Sequence, residues 1–255
     1  MPTTTPSAMK GKRPMTQPIQ VHFWPTPNGR KVVIALEEMG LPYELVWVNI
    51  GKGDQFKPEF LAISPNNRMP AIVDPDGPGG QPISVFESGA ILQYLGRKTG
   101  QFYPADERER VAVDEWLFWQ MANLGPNAGQ ANHFRFYAPG FLKDQRQVGY
   151  GAHRYTCEVE RLLGVLDTRL HGREYTCDNY SIADMATYNW VLSGARYIDI
   201  KAFPDLAAWV ERMRARPAVQ VSDAIRAPTA GLQGTAEEAE KARQVLFGQR
   251  ARHTA

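Results

Sequence analysis

Residues 19–40 join a short apolar run, a turn with two prolines and a glycine, and an amphipathic stretch closed by another glycine. No other segment constrains the fold as much. Ile19 to Trp24 has the length of one strand and stops at Pro25-Thr26-Pro27-Asn28-Gly29, a run of turn formers. Lys31 to Met39 then places Val32, Val33, Leu36 and Met39 on one helical face and Glu37 and Glu38 on the other, with Gly40 in position to end the helix. Tyr43 to Asn49, β-branched and aromatic, reads as a second strand. A strand–helix–strand unit of this kind makes a parallel strand pair.

Lys57 to Ile63 reads as a short helical or irregular segment, followed by Ser64-Pro65-Asn66-Asn67-Arg68-Met69-Pro70. Ala71–Val73 and Ile83–Phe86, separated by a Pro/Gly-rich loop, form a hairpin pattern, and Ser88 to Thr99 is a helix with Ile91, Leu92 and Leu95 at helical spacing. This order is that of a thioredoxin-like domain, expected over residues 19–99. Gly100 to Asp106 reads as a linker, and residues 107–225 are helical in pattern, with segments at Glu107–Met121, Tyr150–Leu170, Ile182–Leu192 and Leu206–Arg214. The expected fold class is therefore α+β, an N-terminal thioredoxin-like domain followed by an all-α helical bundle. Residues 1–18, rich in Thr, Pro and Ser, read as a disordered leader, and 226–255 as a loosely packed helix or a tail.

The 255 residues suffice for two domains, and 43% hydrophobic residues supply their cores. A net charge of +2 without a basic stripe argues against nucleic-acid binding, and no apolar run is long enough to span a bilayer. Lys10, Lys12 and Arg13 precede no apolar core, so the start does not read as a secretory signal. Cys157 and Cys177 stand at no metal or redox spacing. A cytoplasmic protein without a metal is expected.

Two motifs point to a peptide-like ligand. Met69-Pro70, at the mouth of a strand, is either an ordinary strand-initiating proline or a cis-proline whose neighbour offers backbone groups to an extended peptide; about one X–Pro bond in twenty is cis. In Glu87-Ser88-Gly89, Ser88 suits a helix N-cap and, with the first free helical N–H groups, a carboxylate; Glu87 beside it suits an ammonium. Together they suit an α-amino acid head group such as the γ-glutamyl end of glutathione. Ser181 with Asp184 forms a capping box, with Tyr180 and Met185 placed as its hydrophobic staple, a folding role.

Thr26-Pro27-Asn28-Gly29-Arg30-Lys31-Val32, Gly51-Lys52-Gly53-Asp54-Gln55-Phe56, Ser64 to Ile72 and Phe86-Glu87-Ser88-Gly89-Ala90-Ile91-Leu92 resemble the nu class of glutathione transferases. Trp116-Leu117-Phe118-Trp119-Gln120, Tyr180 to Met185 and Pro217-Ala218-Val219 continue the likeness, which covers about residues 19–220.

The resemblance implies a homodimeric, glutathione-dependent disulfide-bond reductase that takes glutathione disulfide, or two glutathiones, in one site. Thr26 and Asn28, otherwise a turn residue and a helix cap, would donate hydrogen bonds to the glutathione thiolate. Lowering a thiol pKa from about 8.5 by two requires roughly 2.7 kcal/mol, within reach of two donors and a helix end. Gln55 would contact the peptide end, and Arg154 a second glutathione or its carboxylate. Lys52 is a candidate for the glycyl carboxylate, or a solvated loop lysine. His133, Phe134, Phe136 and Tyr137 either line the co-substrate pocket or pack between helices, and Trp116 and Trp119 belong to a core or a dimer interface. Some relatives cleave aryl thioethers from lignin fragments, so a small-molecule thioether is the alternative substrate to a disulfide. A non-enzymatic glutathione-binding regulatory module is the third reading.

Overall fold

The structure is a computed structural model that describes residues 17–228 and 236–249. The leader expected over 1–18 falls almost wholly outside them. A four-stranded sheet in the order β2-β1-β3-β4 organises the first half, from β1 (Ile19–Phe23), β2 (Tyr43–Trp47), β3 (Ala71–Asp74) and β4 (Ile83–Phe86). β1 and β2 run parallel, with Ile19 opposite Tyr43, whereas β3 is antiparallel to β1 and β4. Period-two alternation in β1 buries Ile19, Val21 and Phe23 completely and leaves Gln20 exposed.

Helix α1 (Pro27–Met39) begins four residues before the helical pattern was expected to start. Thr26 is its N-cap, accepting from the Gly29 N–H at 3.3 Å, and Pro27 is suited to the first helical position because it lacks an N–H. Asn28 is therefore not the cap. Gly29 allows a close approach that no side chain would, since a Cβ there would stand 2.4 Å from the Trp24 carbonyl oxygen. Gly40 ends α1 at φ 63°.

One face of α1 buries Val32, Val33, Leu36 and Met39 as the periodicity requires, and Lys31, Ile34 and Ala35 are buried as well. The helix packs against two helices of the second half, α7 (Ile182–Gly194) and α9 (Pro217–Ala224). Helix α2 (Pro58–Leu61) contributes Phe60 to a separate small cluster with Val48 and Ala71. Helix α3 (Ser88–Thr99) has the expected span, but Glu87, at φ 69°, takes the N-cap position without a side-chain hydrogen bond, and Ser88 is the buried first residue of the helix. The first half is a thioredoxin-like domain.

The second half is helical throughout. α4 (Glu107–Trp119) does not stop near Met121: it runs on through a π turn at Gln120–Leu124, α5 (Gly125–Asn132) and a second π turn at His133–Tyr137. α6 (Gln145–Leu170), α7, α8 (Pro204–Arg214) and α9 complete the bundle. The capping box is formed as expected: Asp184, fully buried, accepts from the Ser181 N–H at 3.1 Å, the Thr176 N–H at 2.9 Å and the Trp209 indole at 3.0 Å. Two arginines fasten α1 to α9. Arg216 makes a bidentate pair with Glu38 at 2.5 and 2.9 Å, and Arg30 donates to the Ser222 and Ile225 carbonyls. Beyond the bundle, α10 (Ala236–Phe247) returns towards the first domain, where Val245 approaches Gly53 and Gln249 accepts from Asn67 at 3.2 Å.

Candidate functional site

A cleft of about 570 Å³ opens where the turn before α1 meets the two π-interrupted helical segments and α10. Thr26, Asn28, Gln55, Arg68 and Met69 line it from the first domain, and His133, Tyr137, Trp190 and Phe247 from the rest of the chain. The sequence thus places six expected site residues together here: Thr26, Asn28, Gln55, Met69, His133 and Tyr137.

The turn before α1 is held in two ways. Met69, joined to Pro70 by a cis peptide bond, lays its sulfur 3.0 Å from the Trp24 amide nitrogen and 3.9 Å from the Thr26 hydroxyl. The Thr26 hydroxyl oxygen accepts from the Gly29 N–H, and its own proton goes to the Met69 sulfur, a weak and distant acceptor that a stronger one can displace. Asn28, in the first turn of α1, accepts at Oδ1 from the Trp190 indole N–H at 2.8 Å. With the oxygen occupied, the amide NH2 is the end left to act as a donor. Two donors and a helix N-terminus on one turn make a receptor for an anion.

Gln55 is 2% exposed; its Nε2 donates to the Ile50 carbonyl at 3.1 Å, and its Oε1 has no partner among the described residues. A buried acceptor without a donor is costly until a ligand N–H satisfies it, and peptide amides carry such a group. Arg68, not singled out from the sequence, brings a guanidinium to the cleft and donates to Gln249 at 3.1 Å. His133 lies among Phe134, Phe141 and Phe247 with ring centroids 4.8–5.8 Å apart, and burial pushes its pKa below the ordinary histidine value.

Other expected residues stand elsewhere. Glu87 is exposed, 3.5 Å from the Asn66 amide, so it lies beside the cleft residue Asn67 without lining the cleft. Ser88 is buried beneath it, 3.4 Å from the Lys31 ammonium. Lys52 is an exposed loop residue outside the cleft. Arg154 projects from α6 beside Glu158 at 3.7 Å, on a surface shared with Tyr150 and Phe134. Phe134 stacks on Tyr155, and Phe136, partly exposed, lies under the Arg196 guanidinium, 4.0 Å from its ring centre; neither lines the cleft. Trp116 and Trp119 pack edge to face with centroids 5.1 Å apart, against the main core.

Cys157 is exposed on α6 and Cys177 is buried, and neither reaches the cleft. Among the described residues no cluster of His, Cys, Asp and Glu fits a metal ion, and no helix is long and apolar enough to cross a membrane.

The chain matches the Glutathione S-transferase N-terminal domain family over residues 26–98 and the Glutathione S-transferase C-terminal domain family over residues 155–217. It is 49% identical over 203 residues to the disulfide-bond oxidoreductase YfcG of Escherichia coli, covering 78% of this chain and 92% of YfcG. It is 38% identical over 218 residues to YghU of the same organism, also named a disulfide-bond oxidoreductase, covering 80% of this chain and 73% of YghU. Among solved structures, a Pseudomonas putida glutathione transferase with one glutathione disulfide bound per subunit is 43% identical, with a TM-score of 0.76 over 86% of this chain and 95% of its own. A Burkholderia graminis glutathione transferase with two glutathione molecules per subunit is 43% identical, with a TM-score of 0.77 over 87% and 92%. A thioredoxin-like domain, a helical bundle, an anion receptor at the first turn of α1 and these likenesses agree, and the chain belongs to the glutathione S-transferase family.

Proposed function

We propose that this protein is a glutathione-dependent disulfide-bond reductase. The observation that carries this reading is the pair of donors at the start of α1, the Thr26 hydroxyl and an Asn28 amide whose oxygen is held by Trp190. They stabilise the thiolate of glutathione bound along the cleft, its backbone N–H satisfying Gln55 Oε1 and its cysteinyl unit beside Met69. The γ-glutamyl carboxylate is received by Ser88 and the first N–H groups of α3, and its ammonium by Glu87. Arg68, in the cleft, suits the glycyl carboxylate better than Lys52 outside it. Arg154 would contribute to a second glutathione from a neighbouring surface, and a homodimer in the cytoplasm is the proposed setting.

The thiolate attacks one sulfur of a disulfide, forming a mixed disulfide and expelling the other sulfur as a thiolate that takes up a proton. A second glutathione thiolate attacks the glutathione sulfur of the mixed disulfide, giving glutathione disulfide and the second free thiol. Two electrons thus pass from two glutathiones to one disulfide, and no protein cysteine takes part. The relatives that hold glutathione disulfide, or two glutathiones, in one subunit support this scheme.

Steady-state turnover with glutathione and a small dialkyl disulfide, run beside an aryl thioether, tests it. Disulfide reduction with a much larger kcat/KM than thioether cleavage is expected. The reverse order would make the protein a thioether lyase, and glutathione binding without either turnover would make it a binding module.

A further inference from the structure

Lys31 is a cation where the packing of α1 calls for an apolar side chain. It is fully buried in a run with Val32, Val33, Ile34, Ala35 and Leu36. Its ammonium donates to Gln120 Oε1 at 2.6 Å and lies 3.4 Å from Ser88 Oγ and 3.3 Å from Met121 Sδ. All three partners are neutral, and among the described residues no carboxylate is within ion-pair distance of Lys31. Burial pushes its pKa down to about 7, while Glu87, at the turn before α3, pulls the other way from outside bonding distance.

An ammonium held this way weakens the fold, because taking a charge out of water is repaid only by a matched countercharge. Gln120 adds to the cost. Its carbonyl is committed to Lys31, and its Nε2 is buried without a partner among the described residues; Gln120 is the first residue of the π turn at Gln120–Leu124. Two unfavourable features therefore converge directly beneath Ser88 and the N-terminus of α3, where the free N–H groups of the helix already favour an anion.

Resting on the glutathione site proposed above, we infer that Lys31 is a positioning residue for the α-carboxylate of the ligand's γ-glutamyl end. Its ammonium donates to Ser88 Oγ, and the Ser88 hydroxyl, which donates to the weak acceptor Met121 Sδ at 3.6 Å, turns outward onto the carboxylate when the ligand binds. Its charge, unpaired among the described residues, is balanced by that carboxylate through a region of low dielectric. The ligand thus completes an ion pair of which the protein holds only the cationic half. Gln120 keeps the ammonium aimed at Ser88, and Glu87 is left free for the ligand's amine.

Calorimetric binding of two probes tests this: glutathione, and its analogue with γ-aminobutyrate in place of γ-glutamate, which lacks the α-carboxylate and keeps the amine and the thiol. The parent should prefer glutathione. Lys31→Met should reduce that preference about ten-fold while leaving affinity for the analogue unchanged, as expected for loss of one charge-assisted interaction. Lys31→Arg should retain most of the preference. A folded Lys31→Met protein that discriminates as strongly as the parent overturns the role of Lys31. A parent that does not discriminate, with Ser88→Ala equally indifferent, overturns the placement of the carboxylate itself.

Should neither lysine variant fold, the parent alone decides. Binding measured in two buffers of different ionisation enthalpy should show more proton uptake with glutathione than with the analogue, because the carboxylate raises the Lys31 pKa. Equal proton uptake with both probes counts against the proposal.

Discussion

The indole of Trp190, in the second domain, donates a 2.8 Å hydrogen bond to Oδ1 of Asn28, in the first turn of the first domain's leading helix. An amide can present either its oxygen or its nitrogen to a cleft, and with opposite consequences for a bound thiolate. Trp190 removes the choice. The two residues are 162 positions apart in sequence, so the donor that the proposed function places at the sulfur depends on how the domains pack.

Trp190→Phe keeps most of the ring and deletes the N–H. Asn28 then loses its orienting partner, and part of its population turns the oxygen inward. The expected outcome is a rise in the pKa of the bound thiol, seen as thiolate ultraviolet absorbance that develops at higher pH. It should come with about a ten-fold fall in kcat/KM and little change in glutathione affinity. An unshifted absorbance titration would show that Trp190 does not act through Asn28.

Thr26 has two duties that substitution can separate. Thr26→Ala removes both the cap on α1 and the hydroxyl donor, and should cost about 1 kcal/mol of stability and ten- to hundred-fold in rate. Thr26→Ser keeps both functions and should stay close to the parent in each. Asn28→Ala should lose a similar factor in rate without the capping loss, because Asn28 is not the cap. Thermal unfolding measured beside turnover separates the two effects.

How much of this was legible in the sequence depended on whether the signal was local. Gly40, the capping box at Ser181 and Asp184, the hairpin and the Met69-Pro70 dipeptide each announce themselves within a few residues, and the structure has all four. The start of α1 is also legible, in Thr26-Pro27 as N-cap and first-turn proline, although the apolar spacing begins only after Lys31. A lysine in an amphipathic pattern normally marks the solvent face, and Lys31 is buried only because Ser88 at the start of α3 and Gln120 and Met121 of the second domain close over it. Ser88 suits the cap by its residue type, and nothing local reveals that Glu87 adopts a positive φ and holds that position instead.

Asp74 gives the first domain a pH dependence. Burial pushes its carboxyl up, but the Lys98 ammonium at 2.7 Å, the Tyr94 hydroxyl at 2.5 Å and the Asp76 N–H override burial and hold it below the ordinary carboxylate range. A carboxylate with a depressed folded-state pKa adds stability that is fully present above its unfolded pKa, about 3.9, and is lost as pH falls through the lower folded value. Asp74→Asn should therefore be less stable than the parent at neutral pH. The difference should shrink steadily below about pH 4, as denaturant unfolding across the acid range would show. A gap independent of pH would remove the charge from the account.

The scheme uses no protein thiol, and the cysteines test that directly. Cys157→Ala with Cys177→Ala should leave glutathione-dependent disulfide turnover within a few-fold of the parent. A stability loss of about 1 kcal/mol is expected from the buried Cys177 side chain. Loss of most activity in a folded double variant would mean that a sulfur of the protein enters the reaction.

The two π turns have a consequence for how this cleft is made. Each inserts one residue into a helical turn, and one residue is about 100° of rotation around the axis. The face that α5 and the segment after it show to the cleft is therefore a matter of counting. With these insertions His133 and Tyr137, four apart and on one side, line the cleft, while Phe134 turns away onto Tyr155 and Phe136 onto Arg196. Deleting a single residue from Gln120–Leu124 would keep every side chain downstream and turn the set away by about a quarter of a circle. The chemical character of the pocket wall is thus written in the length of this helix as much as in its residues.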